Sequence, residues 1–133
     1  MQQTKTYPFS KSDRLKSRKK LQEVFSTGSR FHSGFVKLLY LSERAGQPGI
    51  KCGVGASSRY FKKAVDRNRI KRLLREAYRL QQGPLQQLAV QTGSQVFLFL
   101  LFTGKELPAF DIVYKQTGNV LQKLITRINE VAP

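Results

Sequence analysis

The spacing of hydrophobic residues predicts three helices. An apolar stripe with the helical period covers residues 18–26, where Ser17 is a suitable N-terminal cap and Gly28 is a stop signal. The longest helical pattern runs over residues 60–81 and ends before a Gly-Pro pair. A further apolar stripe predicts a last helix over residues 119–131.

Shorter apolar runs predict strands between these helices. Residues 35–42 and 50–57 have strand-like compositions, and the glycine-containing turn at residues 45–49 predicts that they pair as a hairpin. Residues 96–102 form a continuous apolar run, which predicts a central strand covered on both faces. Residues 85–90 predict only a short helical turn. The predicted order is helix, two or more strands, helix, strand, helix.

The first predicted strand has two chemically different sides, because alternate residues of a strand point to opposite faces. One side is uniformly apolar and is predicted to face the core; it consists of Val36, Leu38 and Tyr40. The other side is mixed and is predicted to face away from the core; it consists of Phe35, Lys37 and Leu39.

Composition indicates a polyanionic partner. The chain has 133 residues, of which 40% are hydrophobic, so we expect one domain over residues 14–133 after a loose arm at residues 1–13. Lys and Arg number 24 against 8 acids, a formal charge of +16 whose self-repulsion an anionic partner would relieve. Nucleic acid is the first candidate and an anionic membrane surface the second. Because Cys52 is the single cysteine, no intramolecular disulfide can form, and we expect a cytoplasmic protein.

The sequence predicts no membrane-spanning segment and no signal peptide. The apolar run at residues 96–102 is too short to cross a bilayer, and residues 1–10 are polar. A helix lying on a membrane surface stays an alternative, because the pattern over residues 60–81 combines a cationic side with an apolar one.

The predicted helix over residues 60–81 separates these two kinds of side chain. At about 100° per residue, the apolar side covers roughly one third of the circumference. That side is predicted to be buried and consists of Ile70, Leu73, Leu74 and Ala77. The opposite side consists of Asn68, Lys71, Arg72, Arg75 and Arg79, with Arg67 and Arg69 at its edges.

This cationic side differs from an ordinary solvated helix face, which usually mixes charges of both signs. Asp66 and Glu76 are the only acids of this helix, and Glu76 lies beside the cationic side rather than within it. Like charges four residues apart cost about 0.2–0.5 kcal/mol each. Arg predominates over Lys, and the guanidinium suits bidentate binding of phosphate. The pattern therefore indicates a nucleic-acid-binding helix, with a merely solvated face as the alternative.

The same helix resembles the signature of a known family. Its motifs Ala64-Val65, Arg67-Asn68-Arg69-Ile70-Lys71-Arg72 and Arg75-Glu76 are similar to those of the bacterial ribonuclease P protein family. Upstream, the resemblance includes Gly53-Val54-Gly55, the basic loop at residues 57–63, and Arg14-Leu15 and Val24-Phe25 around the first helix. It is tight over residues 50–80 and looser over residues 14–130.

The resemblance implies an α/β (α+β) two-layer sandwich like the second domain of ribosomal protein S5, with a four-stranded sheet and the order αβββαβα. It also implies a left-handed β-α-β crossover through the basic helix, although general rules favour the right-handed form. The residue patterns predict only two strands before that helix, so the third is expected from a division of the region at residues 50–57.

The resemblance further implies a ribonucleoprotein whose RNA subunit is the catalyst. The protein would bind that RNA and the 5′ leader of precursor tRNA, as a monomer in a 1:1 complex, and would assist endonucleolytic removal of the leader. RNA binding is expected at Lys62, Lys63, Arg67, Asn68, Arg69, Lys71, Arg72, Arg75 and Arg79. The leader cleft is expected to contain Leu21, Phe25, Phe35, Lys37, Leu39 and Arg59. Relatives often carry aromatic residues in place of Leu21 and Leu39, so stacking is expected to be weaker here or to be supplied by Phe31 or Tyr60. The alternative for Leu21, Phe25 and Phe35 is ordinary packing in the core.

We predict no active site made of protein side chains. The eight acids are scattered and His32 is the only histidine, whereas a protein nuclease needs clustered carboxylates or paired histidines. Mg²⁺ is therefore expected to be held mainly by the RNA subunit and the substrate. The remaining alternatives are a ribosomal or other structural RNA-binding protein on the same fold, and a protein nuclease.

Overall fold

A computed structural model describes residues 14–44 and 47–131, which form four helices and a four-stranded sheet. The predicted N-terminal arm at residues 1–13 lies outside the described residues. The helices are α1 (Arg18–Thr27), α2 (Ala64–Gln81), α3 (Gly83–Thr92) and α4 (Phe110–Val131). The strands are β1 (Ser29–Ser33), β2 (Val36–Arg44), β3 (Gly49–Ala56) and β4 (Ser94–Phe102).

Both predicted ends of α1 are confirmed. The hydroxyl oxygen of Ser17 accepts a hydrogen bond from the backbone N–H of Lys20 at 3.2 Å, which caps the first turn. The N–H of Gly28 donates to the carbonyl of Val24 at 3.0 Å and ends the helix. A Cβ at Gly28 would clash with that carbonyl oxygen, so a side chain does not fit there.

The sheet has the order β1-β2-β4-β3, with β4 antiparallel to β2 and parallel to β3. The predicted hairpin between residues 35–42 and 50–57 is therefore wrong, because β4 lies between these two strands. The predicted central position of residues 96–102 is confirmed, since β4 is paired along both edges. An interior position in the sheet suits a continuous apolar run, because both faces of such a strand can be buried there. The left-handed sense of the β3-to-β4 crossover stays a prediction.

The third strand comes from a different part of the chain than expected. It is β1, which pairs antiparallel with β2 through a tight turn at Gly34, where φ is +56°. No division of residues 50–57 occurs, because β3 runs unbroken through that region. The hydrophobic pattern gave little signal for β1, since it is an edge strand of mostly polar residues.

Two helical segments are longer than predicted. Residues 85–90 lie within the ten-residue helix α3, which has Pro84 in its first turn and ends at Gly93 with φ +65°. The element order is therefore αβββααβα. Helix α4 begins at Phe110 rather than at residue 119, because its first turns leave Phe110 and Ile112 partly exposed and lack a clear apolar stripe.

The two faces of the sheet are covered unequally. Helices α2, α3 and α4 pack on one face and enclose the main core, which includes Val36, Leu38 and Tyr40 as predicted. On the other face α1 covers a smaller cluster of Leu15, Val24, Leu39 and Phe97. We call this second side the open face; its strand residues are Lys37, Leu39 and Leu41 of β2 and Phe97, Phe99 and Leu101 of β4.

Candidate nucleic-acid interface

Helix α2 buries the predicted apolar side. Ile70, Leu74 and Ala77 are fully buried in the main core, and Leu73 packs partly against it. Tyr78, which the predicted apolar side did not include, is also buried there. Asn68, Arg69 and Arg72 are consequently exposed on the outer side. Among the described residues, no hydrogen bond or ion pair engages the side chains of Arg69, Lys71 or Arg72.

The helix begins at Ala64, four residues later than the helical pattern predicted, because residues 60–63 form a loop. Phe61 anchors this loop in the core. The guanidinium of Arg67 donates hydrogen bonds from Nη1 to the carbonyls of Phe61 at 2.7 Å and Lys62 at 2.8 Å. Arg67 thus stabilises the loop that presents the exposed side chains of Lys62 and Lys63.

Arg79 at the C-terminal end of the cationic side has an acidic partner. Its Nε donates to Oε2 of Glu76 at 3.2 Å, and its Nη2 forms a second hydrogen bond with the same carboxylate. This hydrogen bonding lowers the pKa of Glu76 and raises that of Arg79. Of the predicted RNA-binding cations, Arg79 is therefore the one whose charge is most directly compensated within the described structure.

Arg75 does not simply continue the outer row of cations. It is half-buried, and it lines a recess together with Arg14 and Lys16, two residues that the sequence prediction did not include. Burial lowers the pKa of Arg75, and the nearby positive charge of Arg14 lowers it further. Arg14 and Arg75 are far apart in sequence, so periodicity within one helix could not reveal their proximity.

The open face carries an aromatic pair. Phe25 of α1 is 41% exposed, and its ring centroid lies 4.9 Å from that of Phe99. Phe99 was missed by the sequence prediction, although it follows from alternation along β4 once the core side is known. Its ring lies across Gly53 and Gly55, where a Cβ would come within 2.9 and 2.8 Å of it. These two glycines therefore allow a large, partly exposed ring to lie flat on β3.

Basic side chains accompany this aromatic pair. Lys37 is half-buried on β2, and its pairing partners are Leu101 on β4 and His32 on β1. Arg30 pairs with Leu39 and hence lies on the same face as His32. Leu21 packs half-buried beside the small cluster under α1. The structure therefore combines Leu21, Phe25 and Lys37 on one face, together with Phe99.

Three other residues predicted for the leader cleft are placed differently. Leu39 is on the predicted face but only 1% exposed, because α1 covers it, so the prediction that it faces an open cleft is wrong. Phe35 is 51% exposed, but its ring centroid lies 6.1 Å from that of Phe102, a main-core residue. It precedes β2 directly after the Gly34 turn, so strand alternation does not fix its side. Arg59 lies 5.6 Å above the ring of Tyr60, beyond the end of β3.

The described residues contain no group of three or more His, Cys, Asp or Glu side chains that could hold a metal ion. None of the described helices has the length and apolar character needed to cross a membrane. The candidate site consists of two basic surfaces, one on α2 and one on the open face.

Comparison with known proteins decides the family. The family model for ribonuclease P matches residues 9–125. The chain belongs to the ribonuclease P protein family. A ribonuclease P protein component from Porphyromonas gingivalis is 32% identical over 126 residues, which are 92% of this chain and 88% of the relative. Another from Chlorobaculum tepidum is 32% identical over 116 residues, covering 80% of this chain and 75% of the relative.

Solved structures of ribonuclease P proteins share the fold. The protein from Thermotoga maritima aligns with a TM-score of 0.65 at 21% identity, covering 83% of this chain and 96% of that one. The protein from Staphylococcus aureus aligns with a TM-score of 0.56 at 20% identity, covering 92% of this chain and all 100% of that one. The four-stranded sheet and its helices are therefore the ribonuclease P protein fold.

Proposed function

We propose that this chain is the protein subunit of ribonuclease P, which binds the catalytic RNA subunit and the 5′ leader of precursor tRNA. It thereby assists endonucleolytic removal of the leader, which gives the mature tRNA 5′ end. The observation that carries this proposal is the pair of distinct basic surfaces on one fold. Two separate surfaces would allow one protein to contact the RNA subunit and the leader at the same time.

The first surface, on α2, is the proposed contact with the catalytic RNA. Asn68, Arg69 and Arg72 are exposed along the helix, and Lys62 and Lys63 extend the charge into the preceding loop. The opposite side of α2 is fixed in the core, so these side chains project from a rigid support. If five or six cations each neutralise a phosphate, binding should weaken steeply with salt, with a slope of roughly −0.7 to −0.9 per contact.

The second surface, on the open face, is the proposed leader cleft. Unpaired nucleotides bind where aromatic rings stack on bases and cations follow the backbone. Phe25 and Phe99 supply the rings, and Lys37 supplies a nearby cation. Leu21 is aliphatic, so stacking here is concentrated on the Phe25–Phe99 pair.

The cleavage chemistry is proposed to lie on the RNA. A metal-dependent protein nuclease gathers carboxylates around its ions, and the described acids form no such group. We propose that Mg²⁺ is held mainly by the RNA subunit and the substrate, and that it supplies the charge stabilisation that cleavage needs. The protein screens phosphate repulsion with its charge of +16, which should lower the Mg²⁺ requirement. It would act in the cytoplasm, away from membranes, as a monomer in a 1:1 ribonucleoprotein.

Reconstitution tests this function. Purified protein is mixed with ribonuclease P RNA and a precursor tRNA, and cleavage at the mature 5′ end is followed across a Mg²⁺ titration. We expect cleavage at Mg²⁺ concentrations too low for the RNA alone. Cleavage by the protein alone would instead support a protein nuclease. An unchanged Mg²⁺ dependence would contradict the proposal and favour a structural RNA-binding protein.

A further inference from the structure

A recess of about 300 Å³ opens between α1, β3 and α2, beside the open face. Three cationic residues line it, namely Arg14, Lys16 and Arg75. We propose that this recess binds one backbone phosphate of the leader strand, the strand whose bases stack on Phe25 and Phe99. The inference rests on the proposed function and gives Arg75 a different role from the other cations of α2.

Backbone contacts fix two of these cations at the recess. Residues 14 and 15 run beside β3, with a bridge between Arg14 and Cys52 and a 3.0 Å hydrogen bond from the N–H of Leu15 to the carbonyl of Cys52. Leu15 is buried in the small cluster under α1. Because Leu15 is anchored in this way, its two sequence neighbours Arg14 and Lys16 are held at the recess that they line.

The third cation, Arg75, comes from a different element, the helix α2. Arg75 projects from α2, is half-buried, and lies close enough to Arg14 for the two like charges to repel each other. Among the described residues that line the recess there is no acid. A bound phosphate would relieve this repulsion and accept charge-assisted hydrogen bonds from both guanidinium groups.

The recess and the leader cleft are continuous through Phe99. This ring lines the recess, and it also contacts Phe25 on the open face. Leu21 of α1 lines the recess as well. A single strand stacked across Phe25 and Phe99 therefore has a cationic recess beside the same ring, where its backbone phosphate can bind. This continuity favours the leader over the RNA subunit as the source of the phosphate.

The test combines protein variants with leaders that lack one charge. In each precursor tRNA, one leader phosphate is replaced by a neutral methylphosphonate at a 2′-O-methyl nucleotide, with the matching phosphodiester as reference. Affinities are measured for holoenzymes containing the unmodified protein, Arg75→Gln, Arg14→Gln or Lys16→Gln, at saturating protein. Arg18→Gln is the matched control, because Arg18 is an exposed cation of α1 that does not line the recess.

We expect one linkage at which the methylphosphonate weakens binding to the unmodified holoenzyme by roughly tenfold, the scale of a hydrogen bond to a charged group. The same replacement should have little further effect with the recess variants, yet keep its full effect with Arg18→Gln. Additive losses at every linkage would overturn the recess proposal, as would variants that weaken only assembly with the RNA subunit. If the unmodified holoenzyme did not distinguish leader-bearing from leaderless substrate, the proposed function itself would fail.

Discussion

The Nη1 atom of Arg67 lies 2.7 Å from the carbonyl oxygen of Phe61 and donates a hydrogen bond to it. A second hydrogen bond from the same nitrogen reaches the carbonyl of Lys62 at 2.8 Å. One arginine of the family motif therefore closes the loop before α2, while its neighbour Arg69 is exposed on the helix. The motif thus combines a residue that stabilises the loop with residues available to RNA.

The different roles of Arg67 and Arg69 predict that their substitution affects the stability of the protein differently. Arg67→Ala should lower the free energy of unfolding by about 1–3 kcal/mol, because two loop carbonyls lose a charged donor. Arg69→Ala should stay within about 0.5 kcal/mol of the unmodified protein, as for other exposed positions. Urea unfolding followed by circular dichroism measures both values. Equal stability of the two variants would contradict a structural role for Arg67.

Releasing Arg79 should strengthen RNA binding. In Glu76→Gln the carboxylate that pairs with Arg79 is lost, so the Arg79 guanidinium becomes available to bind phosphate. We expect severalfold higher affinity for the RNA subunit and a salt slope steeper by at most about one contact. Glu106→Gln changes the net charge equally in an exposed loop and is the control. The same gain in both variants would show a net-charge effect rather than release of Arg79.

The buried thiol of Cys52 predicts a loss of stability in alkaline solution. Burial raises its pKa far above the ordinary value, so the folded protein keeps the thiol neutral. Its contribution to stability is complete below about pH 8.5, where the unfolded thiol is also neutral, and falls above it by up to about 1.4 kcal/mol per pH unit. Urea unfolding between pH 7.5 and 9.5 should show this decline relative to Cys52→Ala. Parallel curves for the two proteins would contradict it.

Helix α2 was the part of the structure most accessible from the sequence. Its 3.6-residue period and one-sided charge are local properties, so the buried Ile70 and Leu74 and the exposed Arg72 were all predicted. The continuous apolar run of β4 likewise indicated a central strand. The predicted faces of β2 hold for Val36, Leu38 and Tyr40, since alternation within one strand needs no tertiary information.

The strand order and the finer details of the site could not be predicted in this way. The short connection between β2 and β3 predicts that they pair, but β4 lies between them in the sheet. Tertiary packing also decides the exposure of individual side chains. Leu39 lies on the predicted face of β2 but is buried under α1. The position of the Phe99 ring depends on β4 being the strand that pairs beside Gly53. The proximity of Arg14 to Arg75 requires three elements to be assembled first.

Separation of the two surfaces is tested most directly by one quantity. This is the ratio of dissociation constants for leaderless and leader-bearing precursor tRNA, measured with holoenzyme at saturating protein. Phe25→Leu combined with Lys37→Ala should reduce that ratio by about tenfold, since a lost stacking contact costs roughly 1–3 kcal/mol per base. Arg69→Ala combined with Arg72→Ala should leave the ratio unchanged while weakening assembly with the RNA subunit and flattening its salt dependence. If both pairs of substitutions changed only assembly, or both changed the ratio alike, the two-surface account would be contradicted.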